Sequence, residues 1–427
     1  MKKLILILLL LIAAPVLAFQ GARRESSQEA RREAFDVVWR TVKEKHYDPT
    51  LGGLDWDRVR EQYAPRIETV KSDSEFYSLL QRMLGELRQS HFAIIPPEAI
   101  IEEAASDPSN GGIGIDLRII DGLAVISRVD AASAAERAGL RTGFVIRQID
   151  QTPAERFTSR VNQAAESQST TRLRATRALM SRVEGKTDST VRLIYLDENN
   201  RQREAVITRE PLGGEMSEPL GNFPAQRTFF DARRLDGGVG YIRFNIFVMI
   251  QLQKIRSAIR SLHDAPGIII DLRGNPGGIG AMASAIAAMT ETRQISLGTM
   301  KMRAGHVNFA VFPQQNPFTG KVAILIDGGS ASTSEVMAAG MQETGRAMVI
   351  GERSAGAALP SIFTRLPTGA LFQFAIGDFR TPKGVLIEGR GVTPDVEVKL
   401  SRRELLRGRD SQLQTALEQI RKQIALK

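Results

Sequence analysis

The sequence predicts an α/β protein. A mixed-sheet core with helices occupies residues 215–400, after a helical region at 26–105 and an inserted β-rich module at 110–210; a closing helix follows at 401–427. Three observations predict it. From about residue 237, short apolar runs alternate with helical patterns, as in an α/β core. Residues 26–105 carry apolar side chains at helical spacing. Residues 110–210 show short strand patterns between turn-forming clusters. A chain of 427 residues, 42% hydrophobic and 25% charged, is globular in composition and long enough for roughly two to three domains.

The elements follow in order. Residues 1–18 read as a secretory signal: Lys2 and Lys3 precede an apolar run at 4–12, and Val16-Leu17-Ala18 is a small-x-small cleavage site. That run is short for a membrane helix, and no later run is long enough to span a bilayer. The mature protein is therefore expected to be exported, to the periplasm or beyond, with no stable membrane span. Phe35, Val38, Trp39 and Val42 then share a helical face, and Leu54-Asp55-Trp56-Asp57 opens a second helix. Ser72-Asp73-Ser74-Glu75 reads as a capping box. Its helix buries Phe76, Leu79, Leu80, Met83, Leu84 and Leu87 and stops near Arg88. Ser90-His91-Phe92 leads into Ala93-Ile94-Ile95 and the breaker Pro96-Pro97.

Residues 107–112 are rich in turn formers and mark a boundary. Strand patterns at 123–126 and 144–146 flank a small helix at 131–138. Strands at 191–195 and 205–207 flank the hairpin turn Asp197-Glu198-Asn199-Asn200, and the charged stretch 158–181 reads as helical. The core pattern runs strand 239–244, helix 252–262, strand 268–270, helix 279–289, strand 322–326, helix 335–343 and strand 348–350. In the tail, Leu413, Leu417, Ile420 and Ile424 share one helical face.

Composition removes several chemistries. The chain has no cysteine, which excludes disulfides, Cys-based zinc sites and a thiol nucleophile. Imidazole chemistry is limited to His46, His91, His263 and His306. The net charge of +9 arises from interspersed Lys/Arg and Asp/Glu with no aromatic-interleaved basic tract, so it reads as a solvated surface and not a nucleic-acid interface. No His-Glu-x-x-His motif is present, and no metal or organic cofactor is implied.

Two loops could carry chemistry. Asp327-Gly328-Gly329-Ser330-Ala331-Ser332-Thr333-Ser334-Glu335 joins an apolar strand to a helix, where a serine hydroxyl meets helix N-terminal N–H groups. The G-x-S-x-G pattern is absent, and an ordinary serine N-cap has the same appearance. Asp271-Leu272-Arg273-Gly274-Asn275-Pro276-Gly277-Gly278 also ends a buried strand, where ligands bind in open α/β sheets. It lacks Gly-Lys-Ser/Thr, so it is no Walker loop.

Together with GVGYIRFNIF at 238–247 and EGRGVTPDVEV at 388–398, these loops resemble the C-terminal processing (tail-specific) peptidases and the tricorn-type serine proteases. The resemblance implies a ClpP/crotonase-like spiral core. It places the nucleophile at Ser332 and an oxyanion hole at the N–H groups of Thr333 and Gly277. GGIGI at 111–115 with AERAGLRTGFVIRQID at 135–150 resembles a PDZ module. There, Ile113, Gly114 and Ile115 would hold a substrate's C-terminal tail. Equally, GGIGI could simply begin a buried strand.

The general-base lysine of the Ser/Lys members falls on Ala357 here, and an alanine accepts no proton. Tricorn-type members instead pair a Ser-His at the end of the N-terminal region with a late glutamate. That implies His91 as general base for Ser332, with Ser90 and Glu388 orienting its imidazole. The function expected is an exported serine endopeptidase acting on peptide or protein substrates through an acyl-enzyme. The alternative is a catalytically inactive peptide- or ligand-binding protein on the same fold.

Overall fold

A computed structural model describes residues 25–97, 110–163 and 168–425. The expected signal segment at 1–18 lies outside them. The central sheet has six strands, in the order Phe230–Arg234, Gly240–Phe244, Gly267–Asp271, Lys321–Ile326, Ala347–Gly351 and Val396–Glu397. The first pairing is antiparallel and the other four are parallel. Its inner strands, such as GIIID and KVAILI, are apolar on both faces because both faces are covered. Helices Met249–Ser261, Ala281–Ala287 and Thr333–Glu343 pack on one side with Ile268, Ile270, Ile324 and Ile326. The C-terminal helix Ser411–Ala425 covers the other, where Ala416, Leu417 and Ile420 meet Ile269, Ala323 and Leu325. Ile424, expected on that buried face, is 37% exposed at the fraying end, and the smaller Ala416 fills the place nearer the sheet.

Helices Gln28–Lys45, Trp56–Ile67 and Asp73–Gly85 form the N-terminal region. Ser72 Oγ accepts from Glu75 N–H, but the returning Glu75 carboxylate takes the Lys71 N–H, one residue earlier than a capping box requires. The region is not helical throughout. Ala93–Ile95 is a strand pairing antiparallel with Leu371–Ala375, which in turn pairs with Ser361–Arg365. The N-terminal helices consequently share one hydrophobic core with Leu359, Leu366, Phe372 and Phe374, so they are built into the body of the molecule.

Residues 110–210 form their own core around Leu117, Ile126, Ile146, Leu179 and Leu193. The sheet runs Ile115–Ile120, Leu123–Val129, Val145–Ile149, Thr190–Leu196, Gln202–Thr208, with Ile115–Ile120 at one edge. The helix expected at 131–138 shrinks to Ala134–Arg137 because Ala132 has a positive φ and Ser133 caps the start, accepting from Glu136 N–H, while Gly139 with its positive φ ends it. The helical stretch 158–181 is two elements, Glu155–Gln163 and Gln168–Val183.

Candidate active site

The site lies at the C-terminal ends of strands Gly267–Asp271 and Lys321–Ile326, where a parallel sheet opens a crevice. The loops after the two strands are sewn together by hydroxyls. Ser330 Oγ donates to Leu272 O at 2.8 Å, Thr333 Oγ1 to Gly278 O at 2.9 Å and Ser334 Oγ to Asn275 O at 2.9 Å. Of the four hydroxyls in this turn, Ser332 alone donates no hydrogen bond to the facing loop. It sits at the N-cap position of Thr333–Glu343, where the Glu335 carboxylate returns to its N–H as in a capping box.

The Ser332 backbone is held at φ 55° and ψ −119°, a region costly to a residue with a Cβ. Its N–H donates to Ala357 O at 2.8 Å and to Glu335 Oε2 at 3.1 Å. Gly277 packs directly against it: a Cβ there would lie 2.7 Å from Ser332 Cβ and 2.8 Å from Thr333 N, and Gly277 has φ +99°. The expected donor pair needs one amendment. The Gly277 N–H is already bound to Asn275 Oδ1 at 2.9 Å, because the buried Asn275 side chain turns back across its own loop. The neighbouring Gly278 N–H and the Thr333 N–H have no acceptor among the described residues.

Ser90, His91 and Glu388 form one chain of hydrogen bonds. Ser90 Oγ lies 2.7 Å from His91 Nδ1 and 2.9 Å from Glu388 Oε2, and the Ser90 N–H donates to Glu388 Oε1 at 2.7 Å. Glu388 Oε2 also accepts from Ala358 N–H at 3.0 Å. Ala357 holds Ser332 and Ala358 holds Glu388, so both arms converge on one dipeptide. No hydrogen bond joins His91 to Ser332 among the described residues. His91, like Ser332, has a positive φ, 59°. Burial, reinforced by the Arg177 guanidinium, lowers its imidazole to about 4, which keeps it neutral near pH 7. Burial raises the Glu388 carboxyl above its ordinary value, against the opposing pull of the Ser90 and Ala358 donors.

The other histidines have structural surroundings. His46 is fully buried, with Nε2 2.8 Å from Gln89 Oε1 and its ring stacked on Tyr47 and Phe92. His263 meets the edge of Phe318, and His306 is exposed on strand Gly305–Val311. No group of three or more His, Asp or Glu suited to a metal occurs among the described residues.

The side chains of Ile113 and Ile115 belong to the core of the 110–210 module and are 1% and 5% exposed. Gly114, at φ +80°, packs on Ser133, and its carbonyl accepts from Asp130 N–H. Residues 112–115 line a cavity of about 1180 Å³ between this module and the core. Ionic pairs cross its walls: Arg118 with Asp327 at 2.8 Å, Asp116 with Arg243 at 2.9 Å and Arg172 with Glu352 at 3.0 Å. Sequence reasoning named none of them, since each joins positions over a hundred residues apart.

Comparison with known proteins agrees with this architecture. The profile of peptidase family S41 matches residues 238–398, and that of the tricorn protease C1 domain matches residues 27–85. The carboxyl-terminal-processing protease of Synechocystis sp. is 26% identical over 390 residues, covering 89% of this chain and 84% of its own. A tricorn protease homologue of Streptomyces coelicolor is also 26% identical, over 91% of this chain but 32% of its own. Among solved structures, the photosystem II D1 C-terminal processing protease superposes with a TM-score of 0.58 at 21% identity, covering 88% of this chain and 96% of that one. The tricorn protease superposes at 0.53 and 18% identity, covering 94% of this chain and 37% of that one. Residues 238–398 are a peptidase family S41 domain and residues 27–85 a tricorn protease C1 domain, and the chain is a serine-type peptidase similar to the carboxyl-terminal-processing proteases.

Proposed function

We propose that the protein is an exported endopeptidase in which Ser332 is the nucleophile and His91 its general base. One observation carries the reading. In a turn where every other hydroxyl is engaged, Ser332 is left without an acceptor, and the Ser90–His91–Glu388 chain reaches the same dipeptide that fixes its backbone. For Nε2 to accept a proton, Nδ1 must carry one and donate it to Ser90 Oγ, which then donates to Glu388 Oε2. On attack, the Ser332 proton moves to His91 Nε2 and Oγ bonds to the scissile carbonyl carbon. The oxyanion takes up the Thr333 and Gly278 N–H groups. Imidazolium charge is balanced through Ser90 by Glu388. His91 then protonates the leaving amine, and the acyl-enzyme is hydrolysed by water deprotonated by the same imidazole.

Residues 110–210 supply substrate capture in this reading. The exposed edge of strand Ile115–Ile120 lies beside helix Gln168–Val183, which suits an added peptide strand whose terminal carboxylate meets the backbone N–H groups at 112–115. Export rests on residues 1–18. Among the described residues no helix is long and apolar enough to cross a membrane.

Ser332→Ala and His91→Ala should each lower casein cleavage by roughly 10³-fold or more. Unchanged cleavage in both would remove the assignment. A serine-directed phosphonate should label the native chain and not Ser332→Ala; a native chain never labelled would leave a peptide binder on this fold.

A further inference from the structure

Two acidic side chains of the Ser332 turn are buried: Asp327 pairs with Arg118, and Glu335 faces inward. It is fully buried and has no cationic partner. Four donors converge on it instead. Oε1 accepts from Ser354 Oγ at 2.5 Å and Gly356 N–H at 2.8 Å; Oε2 accepts from Ala357 N–H at 2.9 Å and Ser332 N–H at 3.1 Å. These donors belong to two separate segments, the nucleophile turn and the 354–357 loop. Ser354 extends the network by accepting from Val392 N–H at 2.6 Å. A helix N-cap needs at most one such bond from a carboxylate, so this arrangement exceeds what capping Thr333–Glu343 would ask.

We propose that Glu335 is a positioning residue for catalysis: its carboxylate clamps the Ser332 backbone to the 354–357 loop and so holds the serine hydroxyl in its reactive direction. The inference rests on Ser332 being the nucleophile. Ser332 has a backbone conformation that few L-residues adopt, and such a conformation persists only where its surroundings over-determine it. The Ala357 carbonyl and the Glu335 carboxylate share the Ser332 N–H, and the same carboxylate fixes the Ala357 N–H. Ala358, next along, donates to Glu388. The carboxylate thereby sets the spacing between the serine and the segment that carries the histidine's orienting glutamate.

The charge state of Glu335 is part of the clamp. Burial raises its carboxyl to about 7, against the four hydrogen bonds. No charged group faces it: its helix packs on Ala281–Ala287, Ile295–Met302 and Ala347–Gly351, whose single titratable side chain, Lys301, is exposed. Nearby Glu352 pairs with Arg172, and Arg353 donates to the Arg390 carbonyl. Ser354 Oγ is the one neighbour able to accept a proton from a neutral Glu335.

The test uses the full chain with peptide cleavage and the rate of phosphonate labelling. Glu335→Gln cannot satisfy both pairs of donors. It should lower kcat and the labelling rate about 10-fold, with KM within twofold. Glu335→Ala should lower them about 100-fold. Ser354→Ala removes one donor without leaving a bare cavity, so it keeps the test open if Glu335→Ala does not fold; it should lower kcat a few-fold. A second readout is the pH dependence of stability. Because the folded carboxyl lies above its ordinary value, native stability should fall as pH rises from about 4.5 to about 7, and Glu335→Gln should lack that fall. Wild-type kcat and labelling in folded Glu335→Gln and Ser354→Ala would overturn the proposal. Residual labelling of Ser332→Ala would overturn the nucleophile assignment instead.

Discussion

Ser332 and His91 both occupy backbone conformations that L-residues avoid, and each such residue costs on the order of 1–3 kcal/mol. Neighbouring hydrogen bonds offset that cost, through Ala357 and Glu335 for the serine and through Ser90 and Glu388 for the histidine. The low value of His91 has a residue-level consequence. A base must be neutral, so kcat/KM should decline as pH falls through about 4, the acid limb expected of His91. Burial is the larger cause and Arg177 the second. Replacing Arg177 with Gln removes a repelling charge, so the limb should move to higher pH in a profile of kcat/KM. A limb that stays in place would show that Arg177 does not act on the imidazole.

At the scale of elements, the two loops beside the sheet are fitted to each other with no space for a methyl group. Gly277→Ala would place a carbon against Ser332 Cβ and Thr333 N and would also strain a φ of +99°. We expect kcat/KM to fall roughly 10²-fold or more, comparable to losing an oxyanion donor. Labelling at the wild-type rate would argue against this loop as part of the site. Elements of this kind were legible where apolar runs were strong. Residues 268–270 and 322–326 announce buried strands, and the Ser332 turn between strand and helix follows from them. The strands Ile295–Met302 and Gly305–Val311 were not legible, because exposed Lys301, His306 and Val307 blur the alternation. Gly277 could be placed in its loop from sequence, but the destination of its N–H depends on the Asn275 rotamer. Glu335 looked like a helix-start carboxylate. Its inward direction depends on donors at 354–357, which local pattern does not reveal.

For the whole molecule, one face of the central sheet is closed by the last helix of the described chain. Leu417 on the C-terminal helix is 5% exposed and packs over Ile269, Ala323 and Leu325. Leu417→Ala should cost about 2–4 kcal/mol, read from urea unfolding, because the gap lies between a helix and a rigid sheet. A cost below about 1 kcal/mol would mean that the helix adds little to the core. The 110–210 module attaches differently, with the ionic pairs around the cavity set beside an apolar seam of Ile120, Val125 and Val145 against Leu400 and Leu405.

The Ser90–Glu388 contact spans 298 positions of chain. A polypeptide emerging from the ribosome carries His91 early and the carboxylate that orients it almost last. Until the segment carrying Glu388 is in place, the Ser90–His91 pair lacks its carboxylate partner. On the proposed assignment, a chain still being made has no assembled site. If His91 is the base, the two distant parts of the polypeptide must meet before the site exists.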